Sequence, residues 1–131
     1  MALKASMKIL LADASPGNRQ IMKKMLSDVG FKNVIEAADG EKALEKVEAH
    51  KEDGPIGLII SDWELPKLDG LALLKKVRED QSLKETKFLM IIGEAAQQNV
   101  VIAVKSGVNN VVVRPFSNNI LMEKIGKVFG Q

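Results

Sequence analysis

The chain has 131 residues, 19 basic against 17 acidic for a formal net charge of +2, no cysteine, one histidine, and 46% apolar but only 4% aromatic residues. That length suits one domain with its own hydrophobic core. The lack of cysteine excludes a disulfide frame, a Cys-held zinc site and a thiol nucleophile, and His50 alone cannot build a histidine metal site. Balanced charge and few aromatics argue against a nucleic-acid binder. No apolar run reaches the about 18 residues of a membrane helix, and Met1 to Met7 lacks the apolar core of a signal peptide, so the chain reads as cytoplasmic.

In chain order, Lys8–Ala12 is a short apolar run ending at Asp13, which predicts a buried strand. Ser15 suits an N-cap with Pro16 at the first helical position; Ile21, Met22, Met25, Leu26 and Val29 follow helical spacing and Gly30 closes the helix. Asn33–Ala37 is a second strand, Asp39-Gly40 a turn, and Glu41–His50 a helix with Ala43, Leu44 and Val47 inward. After the polar break Lys51–Pro55, Leu58–Ser61 forms a third strand ending at Asp62. Pro66 keeps Trp63–Leu68 out of a helix. Asp69 caps a third helix whose stripe is Leu71, Leu74 and Val77, with Leu73 beside it. Lys87–Ile92 is the fourth strand, followed by Gly93, and a helix from about Ala96 to Ser106 stops at Gly107. Asn110–Val113 is the fifth strand, Arg114-Pro115-Phe116 a loop, and Asn118 to about Phe129 a last helix with Leu121, Ile125 and Val128 inward.

Five strands thus alternate with five helices. The strands are apolar throughout, which implies burial on both faces and a parallel sheet flanked by helices. Right-handed crossovers favour a doubly wound, flavodoxin-like α/β fold of strand order 2-1-3-4-5. With no repeat, linker or low-complexity segment, the expectation is a single domain over residues 1–131 without an attached output domain.

In such sheets the functional crevice lies outside the carboxyl ends of the strands. There the sequence delivers Asp13, Asp62, Ile92 with Gly93, and Arg114. A convergent carboxylate pair can hold a hard cation such as Mg²⁺, or one member can attack a phosphoryl group and become an aspartyl phosphate, with the basic residue on a phosphoryl oxygen. Both acids can equally serve as loop caps, and spacing alone favours that plainer use.

The stretch from Leu58 through Asp62, Pro66 and Asp69-Gly70 to Leu74 resembles the phosphoacceptor strand and following loop of CheY-like receiver domains of bacterial two-component response regulators. Gly30-Phe31, Ala38-Asp39-Gly40 and Arg114-Pro115-Phe116 (where the family has Lys-Pro-Phe) extend the likeness over nearly the whole chain. The resemblance implies that Asp62 is the phosphoacceptor and that Asp13 binds Mg²⁺ with it. It adds the backbone carbonyl of Glu64 as a further ligand, and a sensor histidine kinase or phosphotransfer protein as donor.

The departures are specific. The family's acidic pair reads Asp13-Ala14, so a carboxylate that is normally a direct metal ligand is missing and Mg²⁺ binding should weaken. The family's Thr or Ser at the end of strand four is Ile92, which removes a phosphoryl contact and the switching hydrogen bond. The switch aromatic of strand five is Val111, and the family's lysine is Arg114, which keeps the charge but has a different reach. The Glu64 side chain could partly replace the missing carboxylate as a metal ligand. The plainer alternative, a solvated loop glutamate, is favoured. Trp63, the methionines, His50, Lys23-Lys24 and Lys75-Lys76 have packing or surface roles as their simplest readings.

Three functions follow. The first is a single-domain response regulator of chemotaxis-type phosphorelay signalling, accepting a phosphoryl group on Asp62 and acting through contact with a protein target such as a motor or another regulator. The second is a degenerate receiver that binds partners without phosphorylation, in which an exposed Val111 leaves an apolar patch on the output face. An aspartate-dependent phosphatase is the weak third, because Ser15 stands where such enzymes carry a second acid.

Overall fold

A computed structural model describes residues 5–130. The strands are β1 (Ile9–Ala12), β2 (Val34–Ala37), β3 (Leu58–Asp62), β4 (Lys87–Gly93) and β5 (Asn110–Arg114). All neighbouring pairs are parallel, and the order across the sheet is β2-β1-β3-β4-β5, as expected from the sequence. The helices are α1 (Pro16–Asp28), α2 (Gly40–Ala49), α3 (Gly70–Glu79), α4 (Asn99–Lys105) and α5 (Asn118–Val128), with a single 3₁₀ turn over Glu94–Ala96.

Strand alternation divides the core into two layers. Leu10, Ala12, Ile59, Phe88, Met90, Ile92 and Val111 face α2, α3 and α4, meeting Ala43, Val47, Leu73, Leu74, Val77 and Ala103. Ile9, Leu11, Leu58, Ile60, Leu89, Ile91 and Val112 face α1 and α5, meeting Met22, Leu26, Leu121, Ile125 and Val128. Burial on both faces is why the strands carry no polar alternation.

Four local expectations are corrected. Asp39 does not form a turn with Gly40 but caps α2, its carboxylate accepting from the Lys42 amide at 2.7 Å. Gly40 is the first residue of that helix, and only glycine fits there because a Cβ would collide with the Leu68 carbonyl. On α1 the inward pair is Met22 and Leu26, while Ile21 is 61% exposed and Val29 is also exposed. On α3 Leu73 joins Leu74 and Val77 inside, and Leu71 is only partly covered. The fourth helix is shorter than the expected span from about Ala96 to Ser106, since Glu94–Ala96 winds as the 3₁₀ turn and α4 covers Asn99–Lys105.

Arg78, at the end of α3, ties the lower side of the sheet together. Its guanidinium donates to the carbonyls of Gly107, Lys84 and Thr86 and to Asn109 Oδ1, and that same amide oxygen accepts from the Phe88 amide. The starts of β4 and β5 are thereby held to one side chain.

Candidate functional site

Asp13 follows directly after β1, Asp62 ends β3 and Arg114 ends β5, so the crevice at the carboxyl edge receives all three. Strand parity brings them to one face: Asp13 stands two residues beyond Leu11, Asp62 two beyond Ile60 and Arg114 two beyond Val112, all in the layer under α1 and α5. Arg114 Nη1 donates to Asp62 Oδ2 at 3.2 Å and Nη2 to Asp13 Oδ2 at 3.2 Å. One guanidinium thus bridges both acids.

The remaining carboxylate oxygens are bonded to the backbone. Asp13 Oδ1 accepts from the Ser15 amide at 2.9 Å, and Asp62 Oδ1 from the Glu64 amide at 3.3 Å. Asp13 is sealed, its side chain 3% exposed, whereas that of Asp62 is 15% exposed and that of Arg114 33%. Burial pushes the Asp62 carboxyl above its ordinary value; the Arg114 guanidinium pulls it down, and the neighbouring Asp13 charge adds to the rise. Asp62 is therefore the more reachable acid of the pair.

The loop after Asp62 is fixed at both ends. The Trp63 amide donates to the Ile91 carbonyl and the Gly70 amide to the Trp63 carbonyl. Gly70 has no room for a side chain because a Cβ would meet the Asp62 carbonyl. Ala14, Trp63, Glu64, Leu65, Pro66 and Asp69 line a shallow groove of about 460 Å³ beside the acids.

Glu64 contributes its backbone amide to Asp62, but its side chain is exposed. Among the described residues no three His, Cys, Asp or Glu side chains cluster closely enough to hold a metal ion, and the Glu64 carboxylate is not grouped with Asp13 and Asp62. Ala14 is exposed on the groove wall. Ile92 is 0% exposed and two residues beyond Met90, in the layer under α2, α3 and α4 rather than the layer of the acids. Val111 is also corrected: at 8% exposure it is part of the same layer and forms no surface patch.

One contributor carries no local signal in the sequence. Arg19, in the first turns of α1, donates Nη1 to the Asp13 carbonyl at 2.6 Å and Nε to Glu36 Oε1 at 2.9 Å. It anchors the chain where β1 hands over to the Asp13 loop, and only the pairing of β1 with β2 places Glu36 within reach.

Residues 9–126 match the family model of the response regulator receiver domain. The chain belongs to this family. It is 41% identical over 124 residues to the chemotaxis protein CheY1 of Helicobacter pylori, covering 95% of this chain and 98% of that one. The structure of the chemotaxis response regulator CheY4 of Vibrio cholerae superposes with a TM-score of 0.83 at 30% identity, over 94% of this chain and 98% of that one. The receiver domain of a Pseudomonas aeruginosa sensor histidine kinase, with a magnesium ion coordinated in its active-site cleft, shares the fold at a TM-score of 0.83 and 24% identity, over 96% of this chain and 99% of that one. Receiver domains are signalling domains of two-component systems rather than enzymes in the usual sense, and phosphoryl acceptance on an aspartate is general to them. They exchange phosphoryl groups with histidine kinases or phosphotransfer proteins, act on downstream targets, and generally bind Mg²⁺ at the site. Among the described residues no helix is long and apolar enough to cross a membrane.

Proposed function

We propose that this receiver accepts a phosphoryl group on Asp62 and signals, in a chemotaxis-type pathway, through contact with a protein target. The observation that carries the reading is the bridge from Arg114 to both acids, which assembles a nucleophile, a second carboxylate and a phosphoryl-binding cation at one edge of the sheet.

In the transfer, a carboxylate oxygen of Asp62 attacks the phosphorus of a phosphohistidine or a small acyl phosphate. A P–O bond to Asp62 forms as the bond to the donor breaks, and the donor leaves with that electron pair. Arg114, released from Asp62, offers its N–H groups to the phosphoryl oxygens. Asp13, in its sealed place, holds Arg114 over the acceptor. The hard oxygens of Asp13 and Asp62 suit Mg²⁺, which when bound would neutralise phosphoryl charge, with the Glu64 carbonyl as a further ligand. Ala14 leaves that donor set one anion short, so binding is weak.

Incubation with Mg²⁺ and acetyl phosphate, followed by intact-protein mass spectrometry, tests the reading. One added phosphoryl group in the wild type and none in Asp62→Asn is expected. Equal modification of the two, or none in either, refutes it.

A second reading rests on the burial of Ile92 and Val111 in one apolar layer with Ala103 of α4. No hydroxyl at position 92 reaches a phosphoryl oxygen, so the α4 side would keep one conformation and bind its partner independently of phosphorylation. Amide chemical shifts of α4 and β5 that are unchanged in the phosphorylated protein would favour this reading; shifts spread across both elements would exclude it.

A further inference from the structure

The dipeptide Asp-Gly occurs three times in the chain, at Asp39-Gly40, Asp53-Gly54 and Asp69-Gly70. In this pair the next backbone nitrogen attacks the aspartate carboxyl most readily, because glycine puts no side chain in the way. The fold treats the three pairs differently. Asp39 and Asp69 are helix N-caps, and their Oδ1 atoms accept from the amides of Lys42 at 2.7 Å and Ala72 at 2.8 Å. Their glycines are buried at the starts of α2 and α3, where the Gly40 amide donates to the Pro66 carbonyl and the Gly70 amide to the Trp63 carbonyl. Asp69 is exposed, yet in both pairs the carboxylate and the attacking nitrogen are occupied.

Asp53-Gly54 lies in the bend between α2 and β3, and both residues are exposed. Among the described residues nothing donates to the Asp53 carboxylate, and the Gly54 amide has no acceptor. Gly54 sits at φ +80, a left-handed backbone that favours glycine, so the turn itself retains the residue the chemistry needs. The pair is tied down elsewhere. The Asp53 backbone carbonyl accepts from the Lys8 ammonium at 3.1 Å, and Lys8 Nζ also lies 3.1 Å from His50 Nδ1.

We propose that Asp53-Gly54 is a self-modification site, at which aspartate converts to isoaspartate in the folded protein. The Gly54 nitrogen bonds to Cγ of the Asp53 carboxyl group, and its proton leaves with the carboxyl hydroxyl as water, closing a succinimide ring. Water then adds to the carbon of the former Asp53 backbone carbonyl. The bond from that carbon to the Gly54 nitrogen breaks, and the nitrogen regains a proton. One water is lost and one gained, so the mass is unchanged. The chain now runs through Cβ and Cγ, one methylene longer, and the old carbonyl has become a free carboxylate. The existing latch accommodates this product: the new carboxylate keeps the Lys8 ammonium as its partner, and the hydrogen bond becomes an ion pair.

The full chain is incubated at neutral pH, folded and in urea, until isoaspartate is measurable at all three pairs in urea. Proteolysis and electron-transfer fragmentation then assign it residue by residue. Opening a helix start costs free energy that an exposed bend does not, so the folded protein should hold about tenfold or more isoaspartate at position 53 than at 39 or 69. Urea should abolish that preference. Asp53→Glu, which keeps the charge but would have to close a larger ring, should remove the signal from the peptide that carries residue 53. Equal conversion at the three pairs of the folded protein, or none at Asp53 while the urea sample has converted, overturns the proposal. Isoaspartate persisting in that peptide of Asp53→Glu overturns it as well.

Discussion

Substituting Ile92 by threonine puts back the hydroxyl that the family carries at this point, and the structure predicts that the change acts on the core. Ile92 is completely buried beside Met90, Val111 and Ala103. Trimming isoleucine to valine at such a position costs about 0.5–1.5 kcal/mol. Exchanging a methyl for a hydroxyl then adds about 1–3 kcal/mol when the oxygen finds no partner. Together Ile92→Thr should lose about 2–4 kcal/mol, a large part of the about 5–15 kcal/mol that holds a domain folded, while Ile92→Val loses only the first portion. Urea unfolding followed by far-ultraviolet circular dichroism measures both variants, and their difference isolates the hydroxyl. Equal midpoints for the two variants, at unchanged slope, would refute the reasoning. They would mean that the threonine hydroxyl reaches the acidic crevice or water and that position 92 belongs to the site.

Two further stability effects follow from the side-chain contacts. Arg78→Ala removes four hydrogen bonds that join α3 to the approaches of β4 and β5; at about 0.5–1.5 kcal/mol each, and allowing for partial exposure, unfolding should become easier by about 2–4 kcal/mol, and a urea midpoint within error of the wild type would contradict the role assigned to it. Asp80 meets the Lys51 ammonium at 2.6 Å, and Lys51 with the Ser82 hydroxyl and amide holds its carboxyl down at about 2. Since the folded value lies below the unfolded one, this contribution is complete above the ordinary carboxylate range and is lost as pH falls towards about 2. The melting temperature of Asp80→Asn should therefore lie below that of the wild type at neutral pH and converge with it in acid; a gap that stays constant with pH would contradict the assignment.

Most of the architecture is legible in the chain because its signals are local. Continuous apolar runs at Leu58–Ile60 and Phe88–Ile92 mark strands covered on both sides, and Ser15 and Asp69 mark helix starts where each side chain accepts from an amide three residues on. The carboxyl ends of those strands then nominate Asp13, Asp62 and Arg114 before any coordinates exist. Face assignment is less legible on short helices. Ile21 and Met22 are adjacent apolar residues, and only the packing of α1 onto its face of the sheet decides that Met22 enters the core while Ile21 remains at the surface.

The sequence by itself determined the parallel α/β sheet, the family likeness, the acids Asp13 and Asp62 at strand ends and the absence of an acid at position 14, since each is written in a run or a motif a few residues long. The tertiary structure decided what the altered site does with those residues. It joined Arg114 to Asp13 and Asp62 across separations of 101 and 52 residues, enclosed Val111 and Ile92 in the opposite layer, and left the Glu64 carboxylate outside the pair. Such contacts depend on strand order, register and pleat parity, which arise only when segments distant in the chain pack against one another.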